Sequence, residues 1–586
     1  MTKSRTGWLW FMAAASPALL PLWLILRDGV DVHFWDEWDP NWAGLFVKAF
    51  HHQLTFGDLV TQHNEHRMLV PRLIWLALGR FTHWNNIDDL LLGWCILCVT
   101  SLGLLWLCRR TDAGGWAVRW FICNLLLFTP AQDQNMLLGT GVPYMLAPAF
   151  MVIAFVVVLC GAVGWFKLIL CLLLASAATY TNGNGALCWP LAGLLVAWSD
   201  SWNELKAKKW FLAALGIGFV VNVVLYLIHF KRPGLTVAPG YPETAWQVMR
   251  YYLVFLGNPF SAGSTYAPTT TALVMGWVML VLLLTAAGHF VYCWRRGPRE
   301  LCGRMLPWLA VAGFAVCSAA LAANARADFG VDQALESRYV TSSLYLPIAL
   351  VNLLPLMCQD LRRRSAAGAG LFLAQVPAFL AAGLIVVQLL CLWPAIETCH
   401  HWRASERGVK AAVLLINVLP DNPQLAKVYP APGILIEQVN AINRIGYLHP
   451  PLIASSNADE ICASDPSQVS GARGKLDHYV PESSAQITVS GWAIFSGTGQ
   501  PADAVFLTYE NRRGQPIICG LADLGVKRSD IVEQTGNRNY LWCGWQGTVP
   551  FAALPAGLNP VRIRAWALDT DTAKAWPLDG VFSAQR

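Results

Sequence analysis

Long apolar runs separated by short polar loops set the pattern of this chain. The first run covers residues 8–26, and ten more follow near 86–108, 116–130, 143–162, 165–181, 185–199, 210–229, 270–293, 305–323, 341–358 and 370–393. Crossing the hydrocarbon core of a bilayer takes about 20 apolar residues in a helix. The pattern therefore predicts a polytopic α-helical membrane protein with about eleven transmembrane helices occupying residues 1–393. The basic loops give a direction. Lys3 and Arg5, Arg109 and Arg110, Lys206, Lys208 and Lys209, Arg295, Arg296, Arg299 and Arg304, and Arg362 to Arg364 all fall on one side of an eleven-span layout. The positive-inside rule makes that side cytoplasmic. The opposite side receives outer loops at 27–85, 230–268 and 324–340, together with the whole C-terminal tail.

The polar stretches have patterns of their own. In the first outer loop Asp39 precedes Pro40, the sequence of a helix cap with proline at the first helical position. Trp42, Leu45, Phe46, Ala49 and Phe50 then recur at helical spacing, which predicts an amphipathic helix lying in the membrane interface. The tail divides into a mixed helical connector at 394–470 and a region at 477–586. The latter carries short runs rich in Val, Ile and aromatics (QITVSGWAIF, DAVFLTYE, PIICGLA, WQGTVPF, PVRIRAWALD) with Gly, Pro and Asn between them. That alternation predicts a small all-β sandwich domain.

Composition agrees with the bilayer assignment: 55% of the 586 residues are hydrophobic and only 13% are charged, with mean hydropathy +0.43. The net charge of +6 is spread over separate loops, so the chain lacks the basic patch of a nucleic-acid-binding protein. Most of the 16 cysteines lie in or near apolar runs and behave as small hydrophobes. Cys399, Cys462, Cys519 and Cys543 lie in the tail; an extracytoplasmic tail would favour a disulfide between Cys519 and Cys543, although spacing does not fix the pairing.

Candidate chemistry gathers in the outer loops. HFWDEWDP places Asp36, Glu37 and Asp39 among aromatics, and QHNEHR places His63, Glu65, His66 and Arg67 just before the next apolar segment. His63 and His66, three apart, would share one face of a helix. Carboxylates with histidines suit proton transfer or a divalent metal, whose identity the sequence leaves unknown. The competing explanation is a polar membrane boundary, with His and Arg meeting lipid headgroups. Arg326 and Arg338 flank the loop at 324–340, where a guanidinium fork can grip phosphate or simply snorkel to the interface. Arg72 sits inside an apolar stretch, where an unpaired charge is costly.

In layout, residues 8–393 resemble the GT-C superfamily of membrane glycosyltransferases. The likeness rests on a first span, then Trp35-Asp36-Glu37-Trp38, then His63-Asn64-Glu65-His66-Arg67, then LIWLALGRF, and a second span ending in Arg109-Arg110. TNGNGALCWP and ADFGVDQALESRY are also similar to stretches in bacterial proteins of this type. The resemblance implies transfer of a sugar from a polyprenyl-phosphate-linked donor to an extracytoplasmic glycan, lipid or protein, at the outer face of a bacterial inner (plasma) membrane. It makes Asp36 the expected general base; for that chemistry the residue types and their placement offer Glu37 and Glu65 as further catalytic acids, Arg338 and Arg326 as the donor-phosphate ligands, and His66, His63 and Arg67 as supporting or acceptor-side groups. Expected partners are the lipid-linked sugar, membrane lipids and the acceptor, with a divalent metal as a possible cofactor. The motifs of oligosaccharyltransferases and protein mannosyltransferases are missing, so no acceptor carries over. The alternative function is transport or flipping of a lipid-linked saccharide; a transporter should show internal repeats and mid-bilayer ionisable groups, and neither is evident.

Overall fold

The computed structural model describes residues 2–111, 115–162, 164–231, 245–262, 267–364, 367–463, 472–483, 486–555 and 560–584. The middle of the expected loop at 230–268 therefore lies outside the described residues. Two compact units are present. The first comprises Met1–Gly29, Thr55–Trp75 and Ile87–Cys399; the second comprises Val30–Leu54, Leu76–Asn86 and His400–Arg586. These units do not follow linear boundaries at 393 and 470: parts of the first outer loop belong to each.

The first unit is helical. Among the described residues eight helices are long and apolar enough to cross a membrane: Gly7–Asp28, Asn86–Arg110, Gly139–Leu159, Lys209–Leu227, Pro268–Arg296, Arg299–Phe329, Ser337–Arg364 and Ala378–Leu414. The other three apolar runs are helical but short, over Trp116–Leu127, Trp165–Thr179 and Cys188–Ala197. At 1.5 Å per residue a helix of 15 residues covers only about 22 Å of a 30 Å core. Trp116–Leu127 is followed by a break at Phe128 and Thr129 and then by two short helical pieces, Pro130–Gln132 and Asp133–Leu137, nearly all of it buried. Irregular backbone at membrane depth is tolerated only where protein surrounds it.

Exposure sorts the helices. Ser337–Arg364 is 83% buried and forms the centre, whereas Lys209–Leu227 is 11% buried despite a hydropathy of 2.2. Exposed Leu26, Phe166 and Leu284 give the unit an apolar exterior suited to lipid. One helix pair packs backbone on backbone: a Cβ added to Gly276 would lie 2.0 Å from the Leu253 carbonyl oxygen, and one on Gly257 would lie 1.8 Å from that of Ala272. Small residues permit such approach where lipid gives helices no hydrophobic reason to associate. Arg72, 1% exposed, is held by backbone through Nη1, which donates to the Asp58 and Leu59 carbonyls at the end of the helix Phe56–Val60, while its Nη2 is buried without a hydrogen-bond partner.

The second unit holds the β region, which begins at Ala472, before the expected residue 477. Its strands are β1 (Ala472–Ser483), β2 (Gln486–Phe495), β3 (Gln500–Pro501), β4 (Ala504–Glu510), β5 (Pro516–Leu521), β6 (Asp523–Val526), β7 (Gly544–Pro550), β8 (Val561–Asp569), β9 (Lys574–Pro577) and β10 (Phe582–Ala584). They form two antiparallel sheets, β1-β2-β7-β6 with β3 beside β2, and β10-β8-β4-β5 with β9 beside β8. Ile487, Val489 and Trp545 of one sheet share a core with Val505, Leu507, Val561 and Ile563 of the other. The reverse face of the second sheet is covered too: Phe506 and Trp566 pack with Ala411, Leu414 and Leu415. Burial on both faces explains why Ala504 to Thr508 are buried without alternation.

Three expectations change here. The helix after Pro40 runs from Ala43 to Phe50; Asp39 instead closes a turn, its Oδ1 accepting the Asn41 N–H at 2.7 Å. The buried residues of that helix, Ala43, Leu45 and Phe46, meet protein in the second unit, where the helix packs against Pro432–Arg444. Cys519 and Cys543 are both free thiols: Cys519 lies on β5, while Cys543 packs with Ile494, Ile531 and Tyr540 in a separate cluster.

Candidate functional site

In the first unit the candidate residues of QHNEHR sit on a tight two-residue turn. His63 and His66 exchange both backbone hydrogen bonds at 2.8 Å, and Asn64 takes a left-handed conformation with φ of 47°. The expected shared helical face is therefore absent. Asn tolerates positive φ, which is why the chain reverses here instead of starting a helix. The turn is anchored by Arg67, which donates through Nε to the Tyr226 carbonyl at 2.7 Å, through Nη1 to Val60 at 2.8 Å and through Nη2 to Ile228. Arg67 is thus a structural clamp. The Tyr226 hydroxyl donates to the Glu65 carbonyl at 2.8 Å.

That geometry projects Glu65 toward Arg326, in the last turn of the helix Arg299–Arg326, and the two form an ion pair. The pair is partly open, with side chains 29% and 25% exposed. Burial pushes the Glu65 carboxyl up, but the Arg326 charge, followed by His66, more than offsets it and leaves the group below its ordinary value. The other Glu65 oxygen, Oε2, is buried without a hydrogen-bond partner. His66 accepts the Gly183 N–H at Nδ1 over 3.2 Å, so the TNGNG segment orients this ring. Asn184 of the same segment bridges the hydroxyls of Ser318 and Ser342 at 3.2 and 3.3 Å.

Arg338 lies on the short turn Ser337–Tyr339. Asn135 donates to its carbonyl at 2.9 Å, and Asn258 donates to the carbonyls of Ala334 and Glu336 at 3.1 and 3.0 Å, fixing the loop on both sides. Its guanidinium lies 5.4 Å from the Tyr339 ring and within electrostatic reach of Arg326, Tyr144 and Glu336. Nε of Arg338 is buried with no hydrogen-bond partner, and among the described residues no carboxylate comes within ion-pair distance of it. Two guanidiniums thus converge, one paired to a carboxylate and one with an unused donor. Such a donor is costly to bury unless an anion meets it.

The second unit holds Asp36 and Glu37, and these adjacent acids differ completely. Asp36 belongs to an exposed residue on the turn Trp35–Trp38. Glu37 is 1% exposed; it accepts the Phe34 N–H at 2.9 Å and lies 3.3 Å from His33 Nδ1. His33 also meets the Trp84 carbonyl at 2.9 Å through Nε2 and stacks on the Trp84 ring at 3.7 Å. Burial alone would lower the His33 pKa, but Glu37, then Asp31 and the Trp84 carbonyl, raise it to about 8. The adjoining cavity, lined by Asp31, His33, Trp38, Trp84 and Lys410, measures about 20 Å³ and has room for about one water. Glu37 is a folding element of this unit and not an open catalytic acid.

A larger cavity of about 400 Å³ lies within the first unit, lined by Val118, Ile122, Met279, Leu350 and Leu354. Its wall is apolar apart from Arg119, whose guanidinium is committed to Asn352 and the Cys108 carbonyl at 2.7 and 3.0 Å. It offers lodging to a hydrocarbon chain but no chemistry.

The sequence reading missed Gln134, Asn135, Asn258 and Tyr144, which position or neighbour the two arginines. Polar residues in the stretch QDQNM, between two apolar runs, were the available signal. Comparison with protein-family models, curated proteins and solved structures finds no match to this chain.

Proposed function

We propose that this protein is a membrane glycosyltransferase that uses a sugar carried on a polyprenyl phosphate, acting at the face of the bilayer that bears the first outer loop. One observation carries the reading: Arg338, with a buried and unpartnered Nε, stands beside Arg326 at the end of membrane-length helices. A lipid-borne phosphate supplies the missing acceptor, and negative charge growing on it as the sugar departs is stabilised by both guanidiniums. Glu65, in the same unit, is the carboxylate paired to Arg326. When phosphate draws on Arg326, the ion pair weakens and the Glu65 carboxyl rises toward its ordinary value, making it a better acceptor for the proton of the attacking hydroxyl. His66, oriented by Gly183, assists on the acceptor side. Asp36 is the rival base, and its variant decides between them.

The test incubates purified full-length protein in lipid nanodiscs with labelled polyprenyl-phosphate sugar and an envelope glycan extract. Transfer of label that falls about 100-fold or more in Arg338→Ala and Glu65→Gln supports the assignment. Movement of the intact lipid-linked sugar across proteoliposomes without transfer would make the protein a flippase instead.

A further inference from the structure

Away from the outer loops, the structure assigns a second site: a divalent metal of zinc-like preference held by His289, Cys293 and Asp360 at the arginine-rich end of two membrane-length helices. His289 and Cys293 lie four residues apart on Pro268–Arg296, so both project from one face. Asp360 comes from the neighbouring helix Tyr345–Arg364. The three donor atoms form a compact triangle. His289 Nε2 is 3.2 Å from Asp360 Oδ2, Cys293 Sγ is 3.4 Å from His289 Nε2, and Cys293 Sγ is 3.8 Å from Asp360 Oδ2.

Those edges match a tetrahedral ion. With metal–nitrogen and metal–oxygen bonds of about 2.0–2.2 Å and a metal–sulfur bond of about 2.3 Å, neighbouring ligands stand about 3.3–3.6 Å apart. The donor set matches as well. One imidazole, one thiolate and one carboxylate select a borderline ion over magnesium or calcium, which prefer oxygen alone. The side chains are mostly enclosed: His289 is 8% exposed, Asp360 10%, and Cys293 is fully buried. Three protein ligands leave a fourth position for water.

Arg364 qualifies the site. Its Nε donates to the same Asp360 oxygen at 2.8 Å, and Nη2 lies 4.0 Å from Cys293 Sγ. Without metal, this guanidinium balances the carboxylate. On binding, the Cys293 proton leaves as the sulfur–metal bond forms, and Arg364 becomes an outer partner of the carboxylate. The other compact acid group among the described residues, Asp503, Asp569 and Asp571, lacks soft donors and is already held by Arg407 and Lys410.

The experiment titrates Co²⁺ into purified full-length protein in nanodiscs. One equivalent is expected to bind, with a thiolate-to-cobalt absorption band and release of about one proton per metal at neutral pH. Cys293→Ser should abolish the band and weaken binding at least tenfold, and His289→Gln should weaken it similarly, with helical content by circular dichroism unchanged. Cys302→Ser, a nearby buried thiol, should keep the band. Arg364→Gln should bind no more weakly than the native chain. A native chain that shows no band at saturation overturns the site, as does a band that survives in Cys293→Ser. Weakening by Arg364→Gln as large as that by His289→Gln would overturn it too, because the arginine would then be an integral member of a metal-free network.

Discussion

Two polar clusters, one in each compact unit, contain the same ingredients and behave oppositely. In the second unit Glu37 and His33 are sealed, stacked and hydrogen-bonded. In the first unit Glu65 and Arg326 are partly open, and Arg338 beside them keeps an unmet donor. Buried ionic groups that find partners within the protein hold the fold, and under the proposed function the unmet donor of Arg338 is where a ligand oxygen would go. The contrast separates two acids that sequence alone does not, since Glu37 and Glu65 are both carboxylates near histidines in the first outer loop.

The strongest way to break the comparison is Arg338→Ala. It should lower donor-dependent turnover about 100-fold, equivalent to about 2.7 kcal/mol at the transition state, while the melting temperature stays close to native. A large loss of stability with unchanged turnover would make the open cluster structural. Next comes Glu37→Gln, which leaves His33 without its counter-charge. Its cost should fall on stability, about 2 kcal/mol, with turnover of the folded fraction kept within a few-fold.

The pH dependence sharpens the same point. Because His33 is raised from 6.5 to about 8 in the folded chain, its contribution is fully present below pH 6.5 and is lost as pH rises through 8. That shift corresponds to about 2 kcal/mol. Melting temperatures measured from pH 6 to 9 should fall across this window in the native protein and flatten in Glu37→Gln; a parallel decline in both would remove His33 as the source. The smallest expected effect is that of Asp36→Asn, a change of less than about threefold in turnover. A loss matching that of Arg338→Ala would move the base to the second unit and overturn the role given to Glu65.

Much of the architecture was legible from apolar patterning. All eleven runs are helical, and the five strand-like segments correspond to β2, β4, β5, β7 and β8. β1 escaped notice because ARGKLDHYVPES is charged and contains proline, the composition that protects a sheet edge from pairing with another chain. Span lengths were harder to read, since an apolar run such as 116–130 ends in a buried break and a short helical turn that hydropathy cannot separate from the helix before them. The candidate residues were legible singly but not as a site. Glu65 and Arg326 stand 261 positions apart, and nothing local reports that they meet. Likewise the fate of Glu37 is decided by Trp84, 51 residues beyond His33. His289 and Cys293 hid in an apolar run and Asp360 in the arginine-rich stretch just past another, because one helical turn of spacing means little until the neighbouring helix is known.

The contact between Gly183 and His66 gives the open cluster a polarity. With its Nδ1 lone pair occupied by a main-chain amide, a neutral imidazole must carry its hydrogen on Nε2. The main chain at Gly183 thus sets how the imidazole of a residue 117 positions away is turned.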